Sequence, residues 1–236
     1  MNIELVSYFL VMALVIFGIF KNSITLHPIQ FKCENYILNT YLYLILSWAV
    51  IMSTNAVLSS YDVQLHDLFS SQLSIVLMIG CMGLLMAVMF VPATFFFSKH
   101  ALYMLELILL GLFVYPHYVN NKTAFTFASL SALAIIVILS LGAFLFPDKI
   151  KDSWGMYLGI GLISLFVVRI VDIFLPKKKP RHKWIAYLSV VLFSIYILYD
   201  TKRVLEHSKT CVNADYINEA MGLFLDSFNI FVNSIN

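Results

Sequence analysis

The stretch AFTFASLSALAIIVILSLGAFLF, Ala124 to Phe146, carries no charge and only small hydroxyls among its apolar side chains. A helix needs roughly 20 mostly apolar residues to cross about 30 Å of hydrocarbon, and this run is long enough. It lacks the two-residue alternation of a membrane β-strand. Lipid offers a backbone N–H no partner, so the run is expected to close its own hydrogen bonds as a helix.

The same ruler, moved outward, picks out seven more segments: Ile3–Phe20, Tyr36–Leu58, Leu73–Pro92, Ala101–Val119, Trp154–Leu175, Trp184–Asp200 with an extension, and Tyr216–Ile235. Of the 236 residues 61% are hydrophobic and 12% charged, and the mean hydropathy is +0.89. Soluble domains carry about 25% charged residues, so this chain has too little polar surface for water. An all-α membrane protein is expected. Ile3–Phe20 has Glu4 in place of a basic n-region, and Lys21-Asn22-Ser23 is no small-residue cleavage site, so it reads as a retained span. Pro92, Pro116, Pro147 and Pro176 through Pro180 read as loop punctuation. Trp154 and Trp184 fall at span starts, as in an interfacial belt, and Trp48 reads as packing. The connections are short, which predicts one bundle and no soluble domain.

The net charge of +2 is small, and no basic face interleaved with aromatics suggests nucleic acid. Cys33, Cys81 and Cys211 are scattered without CxxC spacing, which argues against a disulfide framework and a zinc site. His27, His66, His100, His117, His182 and His207 lie mostly in or beside expected loops and lack ligand spacing, so neither metal nor cofactor is expected. With eight alternating spans, one face collects Lys21, Lys32, Lys99, Lys149, Lys151, Lys202, Arg203 and Lys209. The other collects Lys122, Lys177, Lys178, Lys179, Arg181 and Lys183, so charge alone does not orient the chain. The run from Lys177 to Lys183 is a solvated loop or a contact for anionic lipid.

Ionisable groups inside a span cost about 2.5–3.5 kcal/mol on insertion scales and call for a reason. Glu106, Arg169, Asp172, Asp200, Glu219 and Asp226 are the interior candidates. In the last segment Asp215, Glu219, Gly222, Asp226, Asn229, Asn233 and Asn236 recur at alternating steps of four and three, which places them on one helical face. Such a seam belongs toward a bundle interior or a water-filled cavity. Asp200 and Asp226 are equidistant from Asn213, inside the polar stretch Thr210 to Asp215 that suits a turn and an N-cap. The preceding helix is therefore expected to run on to about Lys209, which sets the two aspartates at one height. Two carboxylates in a poorly solvated site cannot both ionise cheaply and would share a proton. Carboxylate oxygens are also the ligands calcium prefers. Two readings stand: a pH-sensitive cation gate, or a polar pair that only orients two helices. Arg169 and Asp172 read as a local i, i+3 pair with Arg169 snorkelling to the interface.

The stretches FSIYILYDTKRV, Phe193 to Val204, and DYINEAMGLFLDSFNIFVNSI, Asp215 to Ile235, resemble the last two helices of the Bax-inhibitor (transmembrane Bax inhibitor motif) family, with its YDT signature and LDxxNxF core. The resemblance implies a seven-helix bundle around a central C-terminal helix over residues 36–236. Residues 1–35 then supply an additional N-terminal helix and loop, as in the mitochondrial branch. Gly111 to Pro116 resembles a family glycine–proline element, and Glu106 falls near an acidic position of Golgi-type members. Asp200 and Asp226 fall on the family's di-aspartyl pH sensor, with transient calcium between them. Tyr199, Glu219, Asn229, Glu106, Arg169 and Asp172 are candidate supporting or pore-lining residues. In bacterial relatives an arginine near the end of the second core helix latches the pore. Here Leu73–Ser98 has none, Lys99 stands at its edge, and Arg169 is a substitute to consider.

The resemblance implies a calcium-permeable, pH-gated leak that modulates apoptosis, with calcium as permeant ion. The setting would be an endoplasmic-reticulum or Golgi-like membrane, or a viral one. The bilayer is the surrounding partner, and cell-death regulators or other membrane proteins are further candidates; the oligomeric state is open. The alternative is a non-conducting scaffold that binds such proteins. An intramembrane aspartyl protease would need glycine-x-glycine before its second aspartate. Leu223-Phe224-Leu225 stands there, so no enzyme is expected. The resemblance also places the loop between the last two helices in the cytosol, which sets Lys177–Lys183 against the positive-inside tendency.

Overall fold

The computed structural model describes residues 3–26, 29–61, 63, 71–175 and 179–235. Eight α-helices account for almost all of them: α1 (Ile3–Ser23), α2 (Tyr36–Ser60), α3 (Ser71–Phe90), α4 (Phe96–Asn120), α5 (Lys122–Leu145), α6 (Trp154–Phe174), α7 (Lys179–Thr210) and α8 (Tyr216–Ile235). The protein is an all-α membrane protein, and α1, α2, α4, α5, α6 and α7 are long and apolar enough to cross a bilayer. His27, His66, Lys177, Lys178 and Asn236 lie outside the described residues.

Three expectations need correction. Pro116 lies inside α4 rather than in a loop, and the helix continues to Asn120. The missing N–H removes one bond, which membrane helices tolerate where neighbours cover the freed carbonyl. The linker after α1 is not irregular. Strands β1 (Ile24–Leu26) and β2 (Ile29–Phe31) pair antiparallel with Ile24 opposite Phe31. Cys33 and Cys211 form a disulfide across a sequence separation of 178, while Cys81 stays free and buried. No local spacing could reveal a bridge closed by the tertiary fold.

The chain packs as two compact units. One holds α1 to α4, the loop after α7 and the start of α8 to Met221; the other holds α5 from Thr123, α6, α7 to His207 and α8 from Gly222. In the first unit α1 packs on α2, and α4 packs on both α2 and α3. The α2–α4 seam is polar at one end: the Tyr43 hydroxyl lies 2.8 Å from His100 Nε2. The Tyr103 hydroxyl donates to the Tyr43 carbonyl at 2.7 Å and lies 2.7 Å from the Ser47 hydroxyl. His100 is thus helical, not in a loop. Farther along, a Cβ at Gly111 would stand 2.9 Å from Thr54 Cβ, so glycine sets how closely these helices approach. Phe31 packs against Tyr43, Phe96, His100 and Tyr216, anchoring the hairpin.

In the second unit the Ser140 and Thr201 hydroxyls, 3.1 Å apart, join α5 to α7. Phe125 meets Phe231 edge-on and joins α5 to α8. The helix α6 shows most of its length outward, as a lipid-facing helix does.

Candidate functional site

Helix α7 reaches Thr210, as the extended reading of that segment required, and α8 opens at Tyr216 after a short polar loop. Asp215 caps α8: its Oδ1 accepts the Asn218 N–H at 3.2 Å, satisfying a donor the helix cannot. The far side of α8 is filled by Leu223, Phe224, Phe228, Ile230 and Phe231, all buried. On the seam, Gly222, Asn229 and Asn233 are half-buried and Asp226 is buried at 6% exposure. So the helix is enclosed on its apolar side most tightly, with the polar seam looser.

Asp200 reaches α8 one turn before Asp226. Its Oδ2 lies 3.1 Å from where a Cβ on Gly222 would stand, so the missing side chain makes room for the carboxylate. Arg203 Nη1 lies 3.5 Å from Asp200 Oδ1, one turn along α7. Asp226 Oδ2 is buried and has no hydrogen-bond partner among the described residues. The Asp200 charge acts on Asp226, and both carboxylates act on the Tyr196 hydroxyl. A buried carboxyl oxygen with an open lone pair, beside a second carboxylate, is chemically able to take a proton, a water or a hard cation.

The other candidates distribute differently. Tyr199 faces α6, where a methyl on Gly155 would run into its hydroxyl. Asn229 donates to its own helix, to the Leu225 carbonyl at 2.8 Å. Glu219 sits in the first unit and accepts from the Tyr36 hydroxyl at 3.3 Å. Glu106, also in the first unit, is 1% exposed, with Oε2 lacking a hydrogen-bond partner among the described residues. The Asp172 charge acts on Arg169, as the local pair predicted, but each side chain takes its hydrogen bonds from other helices. Arg169 donates to Asn233 on α8 and to Ser189 on α7, the latter at 3.2 Å. Asp172 takes Arg181, and His182 at 2.9 Å. Charge-assisted hydrogen bonds to facing helices are stronger than a same-surface i, i+3 pair and fix where both side chains lie.

Three features escaped the sequence reading. Tyr196 lies one turn before Asp200, and i−4 spacing could have flagged it. Lys99 is fully buried and pairs with Asp215 while donating to the Val91 carbonyl at 2.8 Å. Lys202 pairs with Asp152 and, at 3.1 Å, with Glu206. Lys99–Asp215 and Lys202–Asp152 join residues far apart in sequence, where hydropathy carries no pairing signal, whereas the i, i+4 spacing of Lys202 and Glu206 could have flagged that pair.

The family model described as "Inhibitor of apoptosis-promoting Bax1" matches residues 33–235. The chain belongs to the Bax-inhibitor family. A comparison with curated proteins found no match. The match takes in every helix from α2 to α8, and α1 precedes it. As a Bax-inhibitor family member with six long apolar helices among its described residues, the protein is an integral multi-pass membrane protein.

Proposed function

We propose that this Bax-inhibitor family protein is a calcium-permeable leak pathway of an internal, endoplasmic-reticulum or Golgi-like membrane. Protonation of the Asp200–Asp226 pair gates it, and it modulates apoptosis by setting calcium in the store. The observation that supports this most is the carboxylate of Asp200 seated over Gly222, one turn from the buried and under-bonded Asp226. Sharing a proton across the pair holds α7 and α8 in one arrangement. Losing it leaves two like charges that must separate or admit a cation. Both carboxylates act electrostatically on the Tyr196 hydroxyl.

The test is calcium efflux from proteoliposomes across a range of pH, with the wild type, Asp200→Asn and Asp226→Asn. Either substitution is expected to lower the flux or flatten its pH dependence. Unchanged flux and pH response in both would remove the gate. Absent flux in the wild type, with cell protection surviving both substitutions, would favour a non-conducting scaffold for cell-death regulators.

A further inference from the structure

Membrane orientation follows from a bond that the proposed leak does not use. The Cys33–Cys211 disulfide joins the linker before α2 to the loop after α7, with Cα atoms 5.8 Å apart. It does not stand alone. Beside it, within the same unit, the Tyr216 hydroxyl donates to the Lys32 carbonyl, Tyr36 to Glu219, and Lys99 to Asp215. The two cysteines are therefore held together by neighbouring contacts on both sides of the bridge. Disulfides persist in oxidising surroundings, such as the lumen of the secretory pathway or the cell exterior, and are rare where thiols are kept reduced.

Helix α7 gives a second observation. It is one continuous helix of 32 residues from Lys179 to Thr210. At about 1.5 Å per residue that exceeds the hydrocarbon thickness of about 30 Å, so its ends emerge on opposite faces. The end at Thr210 leads directly into Cys211. The other carries Lys179, Arg181 and Lys183 and follows Lys177 and Lys178 in sequence. Lys and Arg near span ends favour the cytosolic face, and this is the densest basic run in the chain; the bridge's face still collects eight Lys and Arg to six, so the disulfide carries the assignment.

We infer that the face bearing the Cys33–Cys211 bridge is lumenal or extracellular and that the basic start of α7 is cytosolic. The loop between α7 and α8 is then on the side opposite to the one the resemblance implied. The reverse orientation would place a disulfide in a reducing compartment.

The test uses the full-length protein in cells. The cells are quenched in acid so that thiols and disulfides do not exchange, the protein is unfolded, and its thiols are counted, with or without prior reduction, by the gel shift of a polymer-linked maleimide. Of the three cysteines, Cys81 alone should count as a thiol before reduction and all three after it; three before reduction would overturn the inference. Lys183→Cys and Lys209→Cys, both exposed near opposite ends of α7, are then probed with a membrane-impermeant maleimide after only the plasma membrane is opened. For protein in internal membranes, Lys183→Cys should label at once and Lys209→Cys only after those membranes are opened. The reverse order, or immediate labelling of both, would overturn it.

Discussion

Asp200 and Gly222 fit each other: the carboxylate occupies the space a side chain on α8 would otherwise take, 3.1 Å from the absent Cβ. Alanine at 222 separates packing from gating. It improves intrinsic helix propensity by up to about 1 kcal/mol, yet it presses on Asp200 Oδ2. The thermal midpoint of Gly222→Ala in detergent should hold or rise. A displacement that costs one protonation state about 1 kcal/mol moves the pH midpoint of calcium flux by roughly 0.7 unit. An unmoved midpoint would detach the glycine from the gate.

Lys99 and Asp215 form an unequal pair, because the ammonium is fully buried while the carboxylate keeps 26% of its side-chain surface exposed. Asp215→Asn strands the buried charge and should cost about 3–5 kcal/mol. Lys99→Met leaves a carboxylate that water can still reach, so its cost should be smaller. The double variant should recover much of the loss. Thermal unfolding of the four proteins decides the order.

Arg169 bridges α6 to both α7 and α8 through Ser189 and Asn233. Both bonds leave one guanidinium nitrogen, Nη2, and the ammonium of lysine keeps the charge but ends one atom short of it, so Arg169→Lys should not retain wild-type stability. A double-mutant cycle of Arg169→Met with Asn233→Ala should return a coupling of about 0.5–3 kcal/mol. Strict additivity would show that this contact is energetically idle.

Gly111 sets the α2–α4 spacing against Thr54. Gly111→Ala should destabilise by about 1–3 kcal/mol through overpacking. Thr54→Gly in the same chain should return part of it, since the clash is with Thr54 Cβ and Thr54→Ala retains that atom. Melting temperature and the yield of monodisperse protein report the effect.

The helices were legible because each apolar run had to satisfy its own backbone in lipid. Trp154 and Tyr216 start their helices where hydropathy put them. Pro116 misled because proline in water usually ends a helix, whereas α4 runs on through it to Asn120. The seam of α8 was readable from its steps of four and three. The contact of Asp200 with Gly222 was not, since equal height from the turn does not say where a side chain lands. The partners of Arg169, Asp172 and Lys99 come from helices packed in three dimensions, and no periodicity along one segment encodes them.

The bridge from Cys33 to Cys211 closes the polypeptide into a covalent ring that contains α2 through α7, leaving α1 and α8 as two tails. A single proteolytic nick inside the ring yields fragments that migrate together until a reductant is added. A nick outside it releases a tail at once. Limited digestion followed by paired gels would therefore sort every cleavage site into one class or the other.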